Sequence, residues 1–146
     1  MKWLYNKKEI NDIADLPQEA FGFIYQTTHT PTGKKYIGKK SLMYNLKKKL
    51  GKKEKALWEG KGRPPMYKRV LKESDWKTYY GSHHLIKEYL KGGFEHELKR
   101  EIIAIATDKK HLTYLECKYQ FALGVLESSE YLNDNILGKF FDKDFA

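Results

Sequence analysis

Two tyrosines, Tyr25 and Tyr36, are the first residues of this chain whose type and spacing could do chemistry. They lie in the segment 22–40, GFIYQTTHTPTGKKYIGKK, where two apolar-aromatic runs flank a stretch rich in Thr, Pro and Gly. That pattern predicts a β-hairpin. If its loop is centred near 30–31, Tyr25 and Tyr36 lie opposite each other, and Gly38 leaves open space beside them. The second strand carries Lys34, Lys35, Lys39 and Lys40, so the paired phenols lie in a setting suited to contact with a phosphate.

A carboxylate, Glu116, is the most informative single residue elsewhere in the chain. The segment 109–126, with Asp108 as its N-cap, has the spacing of an amphipathic helix. At about 100° per residue, its apolar stripe comprises Leu112, Leu115, Tyr119, Leu123 and Leu126, and Glu116 lies at the edge of that stripe. A carboxylate there is costly unless it is paired or bound to metal. Glu116 therefore either binds a hard cation such as Mg²⁺, which prefers oxygen ligands, or pairs with a lysine or points outward.

The elements that must position these residues indicate an α/β (α+β) fold. We expect one domain over 1–146, with a small mixed or antiparallel sheet of three or more strands flanked by helices. A basic insertion spans about 41–72. The other expected elements are a hairpin and an Asp12-capped helical turn in 1–20, a helix or basic loop in 41–62, a short helix from Met66 to Glu73, a strand at 78–80, a helix from its cap Ser82 to 91, and one or two strands in 94–106.

The charge distribution predicts a polyanionic partner, with nucleic acid first. The chain has a net charge of +9, and residues 34–72 alone hold 15 Lys and Arg against 2 Asp and Glu. Such a basic block indicates contact with a phosphate backbone, although a solvated lysine surface is the alternative. The predicted nucleic-acid contacts are Lys34, Lys35, Lys47, Lys48, Lys49, Lys52, Lys53, Arg63, Lys68 and Arg69.

The chain carries no sign of a secreted or membrane protein. Cys117 is its one cysteine, which excludes an intrachain disulfide and predicts a reducing, cytoplasmic setting. The longest apolar run, Ile102–Ala106, is too short to span a bilayer, and the first ten residues lack the apolar core of a signal peptide. We therefore expect no membrane partner.

These motifs resemble the signature of the GIY-YIG nucleases. Phe23-Ile24-Tyr25 is similar to the first triplet, with Phe in place of Gly, and Tyr36-Ile37-Gly38 matches the second. The resemblance implies that Tyr25 and Tyr36 line the scissile phosphate and that one of them helps to activate water. Lysines and a divalent ion would favour an ionised phenol. The resemblance also implies that Glu116, in Tyr114-Leu115-Glu116, binds Mg²⁺ (or Mn²⁺), and that Asn133 or Asn135 supports the site.

The family's arginine has no clear counterpart here. Residues 41–62 contain no arginine, so Lys39, Lys40 or Arg63 is the candidate cation, and His83 or His84 could position water or phosphate. Residues 3–137 resemble phage-encoded Seg-like homing endonucleases more closely than the family at large. The resemblance implies a metal-dependent DNA endonuclease. A catalytically inactive binding protein on the same scaffold is the alternative, and a basic protein that packs on RNA is a third.

Overall fold

A computed structural model describes residues 2–145 of the chain. The chain forms two compact units. The first unit comprises the residues up to Leu42 and those from Asp75 onward, and the second comprises Met43–Ser74. The second unit nearly coincides with the predicted basic insertion, 41–72.

The described part of the chain contains nine strands and three α-helices, besides four short 3-10 helices. The strands are β1 Trp3–Tyr5, β2 Lys8–Ile10, β3 Gly22–His29, β4 Lys34–Ser41, β5 Met43–Lys49, β6 Tyr67–Glu73, β7 Leu98–Ala106, β8 Asn135–Ile136 and β9 Phe140–Phe141. The helices are α1 Lys52–Ala56, α2 His84–Lys91 and α3 Lys109–Ala122. Among these described helices, none has the length and apolar character that a membrane crossing requires.

A five-stranded mixed sheet forms the centre of the first unit, in the order β2-β1-β7-β3-β4. Strands β1 and β7 run parallel, and the other neighbours run antiparallel. The β1–β2 loop consists of Asn6 and Lys7, and both residues have a positive φ. A two-residue hairpin loop of this type needs positive φ at both positions if its twist is to match that of the strands. The predicted mixed sheet, the N-terminal hairpin and the Asp12-capped turn at Ile13–Asp15 are all confirmed.

The register of the β3–β4 hairpin differs from the prediction. Tyr25 lies opposite Gly38, and Tyr36 lies opposite Thr27, so the two tyrosines are diagonal neighbours on one face. The turn ends in Gly33 at a φ of 73°, and this turn geometry moves the pairing by two residues relative to a loop centred at 30–31. The prediction that Tyr25 and Tyr36 lie directly opposite each other is therefore wrong.

Each face of the sheet is covered by a different layer. Helix α3 and the turn after it cover one face, where Leu112 of the helix and Val125 and Leu126 of the turn pack against Ile24 and Ile37. The segment that contains α2 covers the other face with the buried side chains of Trp76, Tyr80 and Ile86. On that face Trp3, Phe23 and Tyr25 form an edge-to-face aromatic cluster. The sheet thus lies between two packed layers.

The segment before α2 contains no strand, so the prediction for 78–80 is wrong. Trp76–Thr78 forms a 3-10 helix, and side chains, not a neighbouring strand, bind the carbonyl groups of Lys77, Tyr79 and Tyr80. The Arg100 guanidinium donates to the carbonyls of Lys77 and Tyr79 at 3.0 and 2.8 Å, and the Thr27 hydroxyl donates to that of Tyr80 at 2.6 Å. Helix α2 begins after His83, whose Nδ1 accepts from the Leu85 amide, so the predicted Ser82 cap is also wrong.

The second unit is a β-ribbon with one short helix. Strands β5 and β6 pair antiparallel over seven residues each, from Met43 opposite Glu73 to Lys49 opposite Tyr67. Helix α1 lies in the connection between them. The predicted short helix at Met66–Glu73 is therefore wrong. The helix-or-loop interpretation of 41–62 is wrong for the residues of β5 but agrees with α1 and the connection after it. Cross-strand pairing, which a search for helical spacing does not detect, determines the conformation of β5 and β6.

Candidate active site

The candidate site forms at the open edge of β4. Side chains alternate along a strand, so Tyr36 and Gly38 belong to one face of β4, and Ile37 and Lys39 belong to the other. Because β4 is the edge strand of the sheet, groups from both faces reach the same open space. That space is a cavity of about 590 Å³ lined by Tyr36, Lys39, Ser82, His83, His84, Glu116, Gln120, Asn133, Asp134, Asn135, Leu137 and Gly138. Most of the lining is polar, as a site for a charged ligand requires.

The two tyrosines have different surroundings. Tyr25 is 1% exposed, and its ring packs against those of Trp3 and Tyr79 with centroids 5.4 and 5.8 Å away. Its hydroxyl fills the place of a Gly38 side chain, because a Cβ built on Gly38 would lie 2.5 Å from it. The expectation of open space beside Gly38 is thus wrong. Tyr36 lines the cavity, and its hydroxyl lies 2.9 Å from the Ser82 Oγ.

Burial keeps both phenols protonated in the metal-free protein. Desolvation raises the pKa of Tyr25 well above its usual value of 10.0, and the nearby Tyr79 and Tyr36 raise it further. Desolvation also raises the pKa of Tyr36, although the hydrogen bond with Ser82 opposes this shift. The expectation that neighbouring lysines would favour an ionised phenol is not met. Each phenol is instead able to donate a hydrogen bond at neutral pH.

Helix α3 brings Glu116 to the cavity. The helix begins where the Asp108 carboxylate accepts a hydrogen bond of 2.8 Å from the His111 amide, as the sequence predicted. The Glu116 side chain is 20% exposed, and its Oε1 lies 3.9 Å from the Lys39 Nζ. Burial raises the pKa of this carboxyl, while the charge of Lys39 and a hydrogen bond with the Lys39 backbone lower it. Lys39 also donates to the Thr113 Oγ1 at 3.1 Å, which holds the ammonium beside the carboxylate.

Asn133 holds the edge of β4 in place. It is 4% exposed, its Oδ1 accepts from the Ile37 amide at 3.0 Å, and its Nδ2 donates to the Ile37 carbonyl at 2.8 Å. The Gln120 amide donates to the same carbonyl at 3.1 Å. Asn133 thus satisfies the backbone as a neighbouring strand would. Asn135 is exposed, and its Oδ1 accepts from the Gly138 amide in a turn.

The structure adds Asp134 to the candidate site, which the sequence reasoning missed. His83 Nδ1 accepts from the Leu85 amide, so a neutral His83 carries its proton on Nε2, which lies 3.2 Å from the Asp134 Oδ2. One ligand atom each from His83, His84 and Asp134 lies within 4.8 Å of the others, close enough to hold a metal ion. The position of Asp134 directly after Asn133 was the available signal.

The remaining predicted basic residues lie elsewhere. Lys40 binds the Asp75 carboxylate at 2.5 Å and lies 4.1 Å from the centroid of the Tyr79 ring. Lys34 donates to the Ser129 carbonyl, and Lys35 lies over the Tyr131 ring. Arg63 is an exposed residue of the second unit. Among these basic candidates, all within the described residues, Lys39 alone lines the cavity.

The other predicted nucleic-acid contacts belong to the second unit. Lys47, Lys48 and Lys49 lie on β5, Lys52 and Lys53 on α1, and Lys68 and Arg69 on β6. Lys68 pairs with Glu54 of α1.

Comparisons with known proteins identify one family. Residues 3–136 match the family described as "Putative endonuclease segE, GIY-YIG domain". No curated protein and no solved structure matches the chain.

Proposed function

The chain belongs to the GIY-YIG nuclease family, and we propose that it is a divalent-metal-dependent DNA endonuclease that hydrolyses phosphodiester bonds. One observation carries the proposal: Glu116 of α3 lines a single polar cavity with Tyr36 and Lys39 of β4, which are far from it in sequence. Phenol, ammonium and carboxylate groups are those that phosphodiester hydrolysis uses to position a nucleophile, balance phosphate charge and hold a cation. The finer role that the resemblance implies is that of a phage-encoded homing-type enzyme.

Glu116 fits the role of ligand for Mg²⁺ or Mn²⁺. Its carboxylate is largely buried yet lines the cavity, and burial raises its pKa. A cation beside it would offset this cost of burying the charge. Mg²⁺ prefers oxygen ligands and retains several waters, and the cavity has room for them. When bound, such an ion polarises a phosphate and stabilises the leaving oxygen.

The other cavity residues bind and orient the substrate in this proposal. The protonated Tyr36 phenol, held by Ser82, donates a hydrogen bond to the phosphate or to the attacking water. Lys39 offsets charge that develops on the phosphate, since no arginine lines the cavity among the described residues. His83 directs its Nε2 at Asp134 and so fixes that carboxylate at the cavity wall. The buried Tyr25 ring lies beside that of Tyr36, with centroids 6.2 Å apart, and limits its movement.

The arginine content favours a second candidate, a catalytically inactive protein that binds nucleic acid. The first unit contains one arginine, Arg100, which is 3% exposed and bound to main-chain carbonyls. Lys39 offers a point charge where a guanidinium would offer a planar fork for two phosphate oxygens. If the Lys39 ammonium does not perform the function of a guanidinium in catalysis, the protein binds DNA without cutting it.

Supercoiled plasmid distinguishes the two candidates. We expect nicked or linear product with Mg²⁺, none with EDTA, and none with Glu116→Ala. The matched control is Glu88→Ala, which removes an exposed glutamate of α2 outside the cavity and should leave cleavage intact. If wild type and Glu116→Ala both shift the plasmid on a gel and both leave it uncut, the chain is a binding protein.

A further inference from the structure

The second unit carries nearly all of the net charge of the protein. Residues 43–74 contain 11 Lys and Arg against 3 Asp and Glu, a net charge of +8, and the whole chain has +9. The first unit, with 17 against 16, is almost neutral. A polyanion is therefore drawn first to the β5–β6 ribbon.

The two faces of this ribbon differ in their surroundings. The register places Leu46 opposite Val70 and Lys48 opposite Lys68 on one face. There Lys68 forms an ion pair with Glu54 of α1, and Lys68 and Val70 are half-buried. Helix α1 thus covers part of this face and neutralises part of its charge.

Six exposed residues of the opposite side form what we call the open face: Asn45, Lys47, Lys49, Tyr67, Arg69 and Leu71. The same side ends in half-buried Met43, which lies opposite Glu73. Lys47 lies directly opposite Arg69, and like charges in such a pair destabilise a ribbon. Within the described chain, neither residue has a carboxylate oxygen within 4.0 Å. The Lys47–Arg69 pair therefore lacks an anion that would balance its charge.

We propose that the open face enters the major groove of duplex DNA and reads base edges there. This inference rests on the proposed function in taking duplex DNA as the ligand. The major groove, about 12 Å wide, admits a two-stranded β-ribbon. Strands of seven residues span about 20 Å at about 3.4 Å per residue, which covers about six base pairs at about 3.4 Å each.

The side chains of the open face suit base reading. Arg69 can bind the O6 and N7 of guanine through both arms of its guanidinium, and Asn45 can bind the N6 and N7 of adenine. Leu71, opposite Asn45, offers an apolar contact for a thymine methyl group. Lys47 and Lys49 flank these residues and supply charge for the phosphates. RNA is the poorer occupant because the major groove of an A-form helix is too deep and narrow for side chains to read.

Selection from a pool of random duplexes tests the proposal. The full chain is used with Glu116→Ala, so that bound DNA is not cut, and retained duplexes are sequenced. We expect a short preferred sequence that contains a guanine. Arg69→Lys keeps the charge but loses the fork, so discrimination at that guanine should fall by about 5- to 150-fold, while the slope of affinity against salt stays the same.

Lys61→Arg is the matched control, because it keeps the charge of an exposed residue of the same unit outside the ribbon strands, and it should leave the preference unchanged. Asn45→Ala should relax a second position. Three results would each overturn the proposal. The retained duplexes could show no sequence preference, the preference could be unaffected by both Arg69→Lys and Asn45→Ala, or RNA hairpins could bind more tightly than duplex DNA. Selection without plasmid cleavage by the wild type would remove the nuclease proposal and leave this one standing.

Discussion

Replacing Gly38 with alanine tests how the tyrosine of the first triplet is held. Gly38 lies in a regular strand, where alanine would normally stabilise the protein by about 0.5–1 kcal/mol. The structure predicts the opposite sign. A Cβ at this position would lie 2.5 Å from the Tyr25 hydroxyl oxygen and 2.7 Å from its Cζ, about 1 Å closer than a favourable contact of about 3.5 Å.

Neighbouring aromatic rings prevent the Tyr25 ring from moving away from an added Cβ. Trp3, Phe23 and Tyr79 surround it with ring centroids at 5.4, 6.3 and 5.8 Å. Overpacking of this kind costs about 1–3 kcal/mol. For a chain of this size we expect Tm to fall by about 3–10 °C. Plasmid cleavage should fall as well, because the Tyr25 ring lies beside that of Tyr36, with centroids 6.2 Å apart.

Thermal and urea unfolding of Gly38→Ala measure this cost. The control is Gly33→Ala, where a φ of 73° makes alanine strained while no atom lies within 4 Å of the added Cβ. Tyr25→Leu destabilises on its own, but in that background Gly38→Ala should cost nothing, and the double-mutant cycle isolates the contact. An unchanged or raised Tm for Gly38→Ala alone would refute the reasoning.

Three further predictions concern the cavity. Asn133→Ala leaves the buried Ile37 amide unsatisfied and should lower the unfolding free energy in urea by about 1–3 kcal/mol; an unchanged value would contradict the role of Asn133 at the strand edge. The raised pKa of Glu116 means that the folded state binds the proton of this carboxyl more tightly than the unfolded state does. The stability that the protonated Glu116 carboxyl contributes is therefore fully present below its unfolded-state pKa and is lost as pH rises through its folded-state pKa. Glu116→Gln should therefore stabilise the metal-free protein at pH 7 more than at pH 4 in urea unfolding, and equal effects at both would count against this. Tyr36→Phe should lower single-turnover cleavage about 100-fold or more, and Tyr25→Phe less, because only Tyr36 lines the cavity; the reverse order would reject the assignment.

Sequence patterns predicted the elements whose stability comes from local signals. The Asp108 cap of α3 and the Asp12 capping box involve residues within a few positions of each other, so both motifs can be recognised from the sequence alone. The family triplets likewise led to Tyr25 and Tyr36. Helical periodicity placed Glu116 at the edge of an apolar stripe, and the structure places it at the cavity.

Long-range contacts explain what the sequence did not predict. The aromatic residues at 78–80 suggested a strand, but Arg100 and Thr27 bind the carbonyls of that segment from other strands. The role of Asn133 depends on Ile37, 96 residues away. The pairing of Tyr25 with Gly38 depends on the geometry of one turn, and residue types alone did not indicate it.

The way in which β4 ends the sheet also bears on how copies of the protein behave at high concentration. An exposed edge strand is a template for aggregation, because its free backbone groups can pair with another chain. Here the outward groups of Lys35 bind the main chain of Glu130 and Leu132, and those of Ile37 bind Asn133. At the far edge, β2 is three residues long and carries Lys8 and Glu9, a length and charge that discourage pairing. The residues that shape the cavity therefore also help to keep one copy from adding its sheet to the next.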